Sequence, residues 1–140
     1  MTSCVFCDIL RGQVNAHIVL ETEYSVGFLD ARPVFPGHVL LVPRAHVETL
    51  PDLPDELLGT VFGQARRLAQ AMEQGFGADG SFVAVNNRIS QSVPHLHVHV
   101  IPRHRKDGLR GFFWPRQKYA SDDEAAEVAD RVRAALAAVG

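Results

Sequence analysis

From Pro54 to Gln74, Leu57, Leu58, Val61, Phe62, Ala65, Leu68, Ala69 and Met72 recur at the spacing of one helix face. Pro54 suits the first turn of this helix and Gly75 or Gly77 its end, and the stripe is expected to be core. A second amphipathic helix is predicted from Ser121 to Val139, with Val128, Ala129, Val132, Ala135, Leu136 and Val139 on its apolar face. Ser121 and Glu124 give it a capping-box signal, and Asp122 and Asp123 suit its positive end. Elsewhere the period falls to two. Ile18-Val19-Leu20 and Ser25 to Leu29 read as paired strands around Glu21-Thr22-Glu23, His38 to Val42 as a strand closed by Pro43, and Ser81 to Val85 as another. A short helical segment through Asp8-Ile9-Leu10 ends near Gly12.

Strands of this length, with one long helix to cover them, predict an α+β fold. The expectation is an antiparallel sheet of about five strands, the long helix packed on it and a helix at the C-terminus. One domain over residues 1–140 is expected, with 103–140 as its C-terminal segment, and there are no repeats or low-complexity linkers.

One stretch departs from ordinary patterning. In Pro94-His95-Leu96-His97-Val98-His99-Val100-Ile101-Pro102 three histidines alternate with apolar residues between two prolines. It reads as a strand with His95, His97 and His99 on one face and Leu96, Val98 and Val100 turned into a core. The polar face must then look into a cavity, a ligand or a partner. Alternate strand residues sit about 6.8 Å apart, so the outer two are about 13.6 Å apart at the backbone. With metal–nitrogen bonds of about 2 Å, one ion cannot take all three, although an adjacent pair could share one.

Charge and cysteine content narrow the function. Fourteen basic against sixteen acidic residues argue against a general electrostatic grip on nucleic acid or membrane. No apolar run reaches the length of a membrane span and no signal-peptide pattern is seen, so the expected location is cytoplasmic. Two cysteines three apart are no secreted disulfide framework. Cys4-Val5-Phe6-Cys7 leaves three readings open: a redox pair, two idle thiols, or half of a zinc site.

Other positions carry readings of their own. Asp30, ending a strand, suits a cap on the following turn. His38 either satisfies a strand end or tunes protonation nearby. Asn86 to Pro94 forms the loop before the histidines. Residues 103–110 are basic and read as a solvated loop, whereas Phe112-Phe113-Trp114 is too aromatic to lie free in water.

The alternating histidines followed by Val100-Ile101 resemble the signature of the histidine triad nucleotide hydrolases and transferases. Gln91-Ser92 stands where that family carries a Gln-Ser or Gln-Thr pair, and Asn87 where it carries a phosphate-loop asparagine. Gly37 to His46 resembles its second signature, and the likeness reaches back to Cys4. The resemblance implies a dimeric HIT-like fold with a groove for a purine nucleotide or dinucleotide. There Phe6, Ile9 and Phe28, with Val5, would enclose the base, Asp30 would hold the ribose, and Asn87, Gln91 and Ser92 would meet phosphate. It implies His97 as nucleophile, with His99 and Ser92 stabilising charge. For members with this N-terminal motif it implies a structural zinc on Cys4, Cys7, His46 and His95, and no organic cofactor. C-terminal segments of the family reach the partner subunit, which suits Trp114. Ser90 departs from the pattern, standing where a glycine commonly precedes the Gln-Ser pair, and the loop looks about two residues short.

No Gly-x-x-x-x-Gly-Lys loop and no dense carboxylate cluster is present, so neither a P-loop nor a two-metal mechanism is expected. A neutral imidazole remains, able to form a covalent bond to phosphorus and divide one displacement into two. The expected reaction releases a nucleoside monophosphate from a phosphoramidate or dinucleoside polyphosphate. The alternatives are a nucleotide-binding module without turnover and a nucleotidyl transfer to phosphate or sugar phosphate.

Overall fold

The computed structural model describes residues 3–109 and 116–139. The chain divides into two compact units, Met1–Asp107 and Gly108–Gly140. The first holds α1 (Val5–Leu10), β1 (Ile18–Glu21), β2 (Ser25–Leu29), β3 (Val39–Pro43), α2 (Asp55–Gly75), β4 (Gly80–Ala84) and β5 (Val98–Arg103). The sheet has five strands and is antiparallel throughout, as expected, and its order is β1-β2-β3-β5-β4.

Alternation along β3 gives the sheet two different faces. Val39 and Leu41 join Leu96, Val98 and Val100 against Val61, Ala65, Leu68 and Met72 of α2. Leu40 and Val42 face the other way, joining Val26, Phe28 and Phe6 of α1. Leu40 pairs with His99, so the histidine face lies on the α1 side. Helix α2 starts after Pro54 with Asp55 and Glu56 in its positive first turn, and ends as Gly77 turns left-handed at φ +59°. Its stripe is narrower than expected. Leu58 and Phe62 are exposed, because the sheet covers only the arc centred on Val61 and Ala65.

The histidine segment also corrects its predicted limits. The ladder starts at Val98 and runs through Pro102, so His95 and His97 precede it. Pro43 closes β3 and its carbonyl is taken by the His95 ring at 2.9 Å, so the β3–β5 ladder stops at Leu41↔Val98. Pro102 is tolerated because β3 reaches only to Val100, and residues 101–103 bond β4 alone.

The backbone before His38 also requires a glycine. Gly37 has φ +99° and leads into His38, and a Cβ there would meet the Phe76 ring at 3.0 Å.

In the second unit α3 (Asp122–Val139) follows the predicted helix. Ser121 Oγ accepts from Glu124 N at 3.1 Å, and Glu124 returns its carboxylate to Ala120 N at 3.0 Å, one residue earlier than a capping box. Val132, Leu136 and Val139 are exposed. The Phe112-Phe113-Trp114 cluster and its expected docking lie outside the described residues. Among the described residues no helix is long and apolar enough to cross a membrane.

Candidate active site and metal centre

A groove of about 850 Å³ opens on the α1 face of the sheet. Phe6, Ile9 and Phe28 wall its apolar part, while Asp30, Ser92, His97 and His99 line its polar part. Seven of the nine residues expected to contact nucleotide therefore meet in one cavity. Phe6 packs edge-on to Phe28 at 5.4 Å and to His97 at 5.1 Å, so the apolar wall runs directly into the polar part. Val14 and Ala16, in a segment before β1 without periodicity, and Arg32, in the turn after β2, also line it and carry no sequence signal.

Hydrogen bonds fix the form of each imidazole. His97 Nδ1 lies 2.8 Å from the His95 carbonyl, which only accepts, so Nδ1 carries the hydrogen and Nε2 keeps the lone pair. His38 Nδ1 accepts from Val34 N–H at 3.1 Å, so its hydrogen sits on Nε2 and points at His99 Nδ1, 3.0 Å away. His99 must then carry its own hydrogen on Nε2, a buried atom with no partner among the described residues. A buried donor without a partner, beside a nitrogen that keeps its lone pair, has the chemistry to meet an anionic oxygen. Burial is the main reason the His99 imidazolium is disfavoured, with the neighbouring His97 and His38 next, and its pKa falls to about 4. His38 is lowered by burial too, against the pull of Asp30.

Asp30 caps its turn and also lines the groove. Oδ1 accepts from Arg32 N at 2.9 Å and caps the turn, while Oδ2 stands 3.7 Å from His38 Nε2 at the groove wall. Asp30, His38 and His99 have the composition of a metal site. The hydrogen on His38 Nε2 argues against that use, because a ligand nitrogen needs a free lone pair.

Asn87 and Gln91 are not among the residues lining the groove. Asn87 Oδ1 accepts from Leu50 N at 2.8 Å. Gln91 spends both ends of its amide, accepting from Arg88 N at 2.8 Å and donating to the Glu48 carbonyl at 2.6 Å. With Leu96 N on the Val47 carbonyl at 2.7 Å, these bonds fasten the Ser92 loop along residues 47–50. Ser90 has φ +59°, a left-handed backbone that explains why glycine suits the position.

Behind the histidines, Cys4, Cys7, His46 and His95 offer ligand atoms within 4.8 Å of one another. His95 Nε2 donates to the Pro43 carbonyl, leaving the Nδ1 lone pair toward Cys4 Sγ at 3.5 Å and Cys7 Sγ at 3.6 Å. His46 Nδ1 lies 3.2 Å from Cys7 Sγ. Burial, then Cys4, raises the Cys7 thiol, a penalty that a bound dication relieves. Two sulfurs and two fixed imidazoles fit a closed tetrahedral zinc site.

The chain is 40% identical over 119 residues to the adenosine 5'-monophosphoramidase HNT1 of Saccharomyces cerevisiae, covering 83% of this chain and 72% of that protein. A crystal structure of a HIT family member from Bacillus subtilis superposes with a TM-score of 0.82 at 32% identity, covering 97% of this chain and 96% of that one. A zinc-bound histidine triad family protein from Mycobacterium smegmatis gives 0.73 at 33% identity, covering 99% and 98%. Residues 11–106 match the HIT domain, and with the histidine groove and five-stranded sheet in place the chain belongs to that family.

Proposed function

We propose that this protein is a nucleotide hydrolase and nucleotidyl transferase acting at the α-phosphate of purine nucleoside phosphoramidates or dinucleoside polyphosphates. The observation that carries this reading is the His97 ring, held by the His95 carbonyl with its Nε2 lone pair free beside the His99 Nε2 donor. In the first step Nε2 of His97 bonds to phosphorus and the bond to the leaving group breaks, the leaving amine or phosphate taking up a proton. Water then attacks the nucleotidyl-imidazole, the P–N bond breaks, and nucleoside monophosphate leaves with His97 restored. His99 Nε2–H and Ser92 Oγ stabilise the phosphoryl oxygens, Asp30 Oδ2 holds the ribose, and Phe6, Ile9 and Phe28 enclose the base. Asn87 and Gln91 support the phosphate loop by their bonds to residues 48–50.

Cys4, Cys7, His46 and His95 hold a structural zinc that pins α1 to the histidine segment. The working form is a homodimer. Leu58 and Phe62 on α2 and Val83 on the edge strand β4 present apolar surface that a second copy would cover. Free thiols kept as metal ligands suit a cytoplasmic, reducing compartment.

The reaction is tested by supplying a nucleoside phosphoramidate, a dinucleoside polyphosphate and a nucleotide sugar and assaying released nucleoside monophosphate. A quench under mildly alkaline conditions with labelled phosphoramidate should place the label on the His97 peptide. Label on another residue, or no monophosphate from any substrate, overturns the assignment. Metal analysis of freshly isolated protein should find one zinc per chain.

A further inference from the structure

Helix α1 belongs to two sites at once. Its capping residue Cys4 and its own Cys7 stand with His46 and His95, while Val5, Phe6 and Ile9 of the same short helix line the groove. The Phe6 ring meets His95 at 6.0 Å and His97 at 5.1 Å, so one side chain touches both a metal ligand and the nucleophile.

Six residues cannot sustain a helix alone, so α1 is ordered by what it touches. Those contacts include the Cys7 N to Cys4 Sγ cap at 3.4 Å, the packing of Phe6 on Phe28, Val26 and Leu40, and the sulfur–imidazole cluster. A separate cavity of about 600 Å³, lined by Ser3, Cys4, Cys7, Arg11 and His46, opens on the sulfurs. A metal can therefore arrive or leave without passing through the groove.

We propose that metal at the cysteine–histidine cluster and nucleotide in the groove are thermodynamically linked through α1, each raising the protein's affinity for the other. The inference rests on the nucleotide and zinc readings above. Whichever ligand binds first bears the ordering of α1, and the second binds a helix already in place. Linkage makes the two effects equal, and a factor of about ten is expected. The groove is then a site whose nucleotide affinity follows the supply of zinc.

Two measurements with adenosine 5'-monophosphate test this. At equilibrium with a chromophoric chelator, the loaded protein should hold its zinc about tenfold more tightly when the nucleotide is saturating. By titration calorimetry, chelator-stripped protein should bind the nucleotide about tenfold more weakly than zinc-loaded protein, and added zinc should restore it. Hydrogen exchange should show the amides of residues 5–11 protected by either ligand. Phe6→Ala, loaded with zinc, should keep its metal yet lose the nucleotide's effect on zinc partition. If the stripped protein unfolds, the partition experiment on loaded protein still decides. Equal partition of zinc between protein and chelator with and without bound nucleotide overturns the linkage and leaves both underlying readings standing. Absence of zinc binding overturns it together with the metal reading, and absence of nucleotide binding together with the proposed function.

Discussion

Nε2 of His38 stands 3.0 Å from Nδ1 of His99, and the hydrogen between them belongs to His38 because Val34 N–H occupies its other nitrogen. The bond holds His99 as a neutral donor with its remaining hydrogen toward the groove.

This has a stability consequence in acid. His99 titrates at about 4 in the folded chain, against 6.5 for a free histidine. Between those values the unfolded chain binds a proton that the folded chain refuses, so stability rises with pH across the window. The contribution is fully present above pH 6.5 and is lost as pH falls toward 4, with His38 acting in the same direction. The urea midpoint should therefore fall between pH 7 and pH 5, and His99→Asn should shallow that slope. An equally steep loss in the variant would refute the assignment.

Removing the hydrogen donor should damage chemistry more than binding. His38 does not line the groove, so His38→Ala should lower kcat by about tenfold to a hundredfold with little change in KM. His97→Ala should lose several orders of magnitude in kcat while nucleotide affinity survives. A His38 variant that raised KM alone would assign that residue to binding instead.

Much of this site was legible from residue order. Alternation placed the three histidines on one face, and the structure keeps that face although the ladder begins only at Val98. The family resemblance named Cys4, Cys7, His46 and His95 as one ligand set, and their ligand atoms do lie in one cluster. What stayed hidden is how side chains spend their hydrogen bonds. Nothing in the order of residues says that Gln91 turns both amide ends to Arg88 and Glu48, or that Asn87 answers Leu50. The exposure of Leu58 and Phe62 was hidden for a related reason, since periodicity gives a stripe but not the width of what covers it.

Gln91 gives a direct contrast between bracing and contact. Gln91→Glu would set a carboxylate oxygen against the Glu48 carbonyl, at a cost of about 1–3 kcal/mol in unfolding free energy. Chemical denaturation with kinetics beside it checks this. Unchanged stability with a raised KM would mean that Gln91 touches substrate.

Leu58 and Phe62 lie one turn apart on the exposed side of α2. Phe62→Glu should leave the fold intact, as measured by circular dichroism, and shift the protein from dimer to monomer by light scattering at micromolar concentration. A monomeric parent protein would refute the dimer before any variant is made.

Position 37 admits one kind of residue for a reason that no assay of the groove would reveal. The exposed Phe76 ring at the end of α2 can swing aside from an added methyl, but the backbone at φ +99° cannot accommodate an L side chain without strain. The next residue is His38. A mutation search scoring turnover would therefore mark Gly37 as catalytic although it carries no chemistry, and the turn beneath Phe76 would behave as a silent part of the proton arrangement.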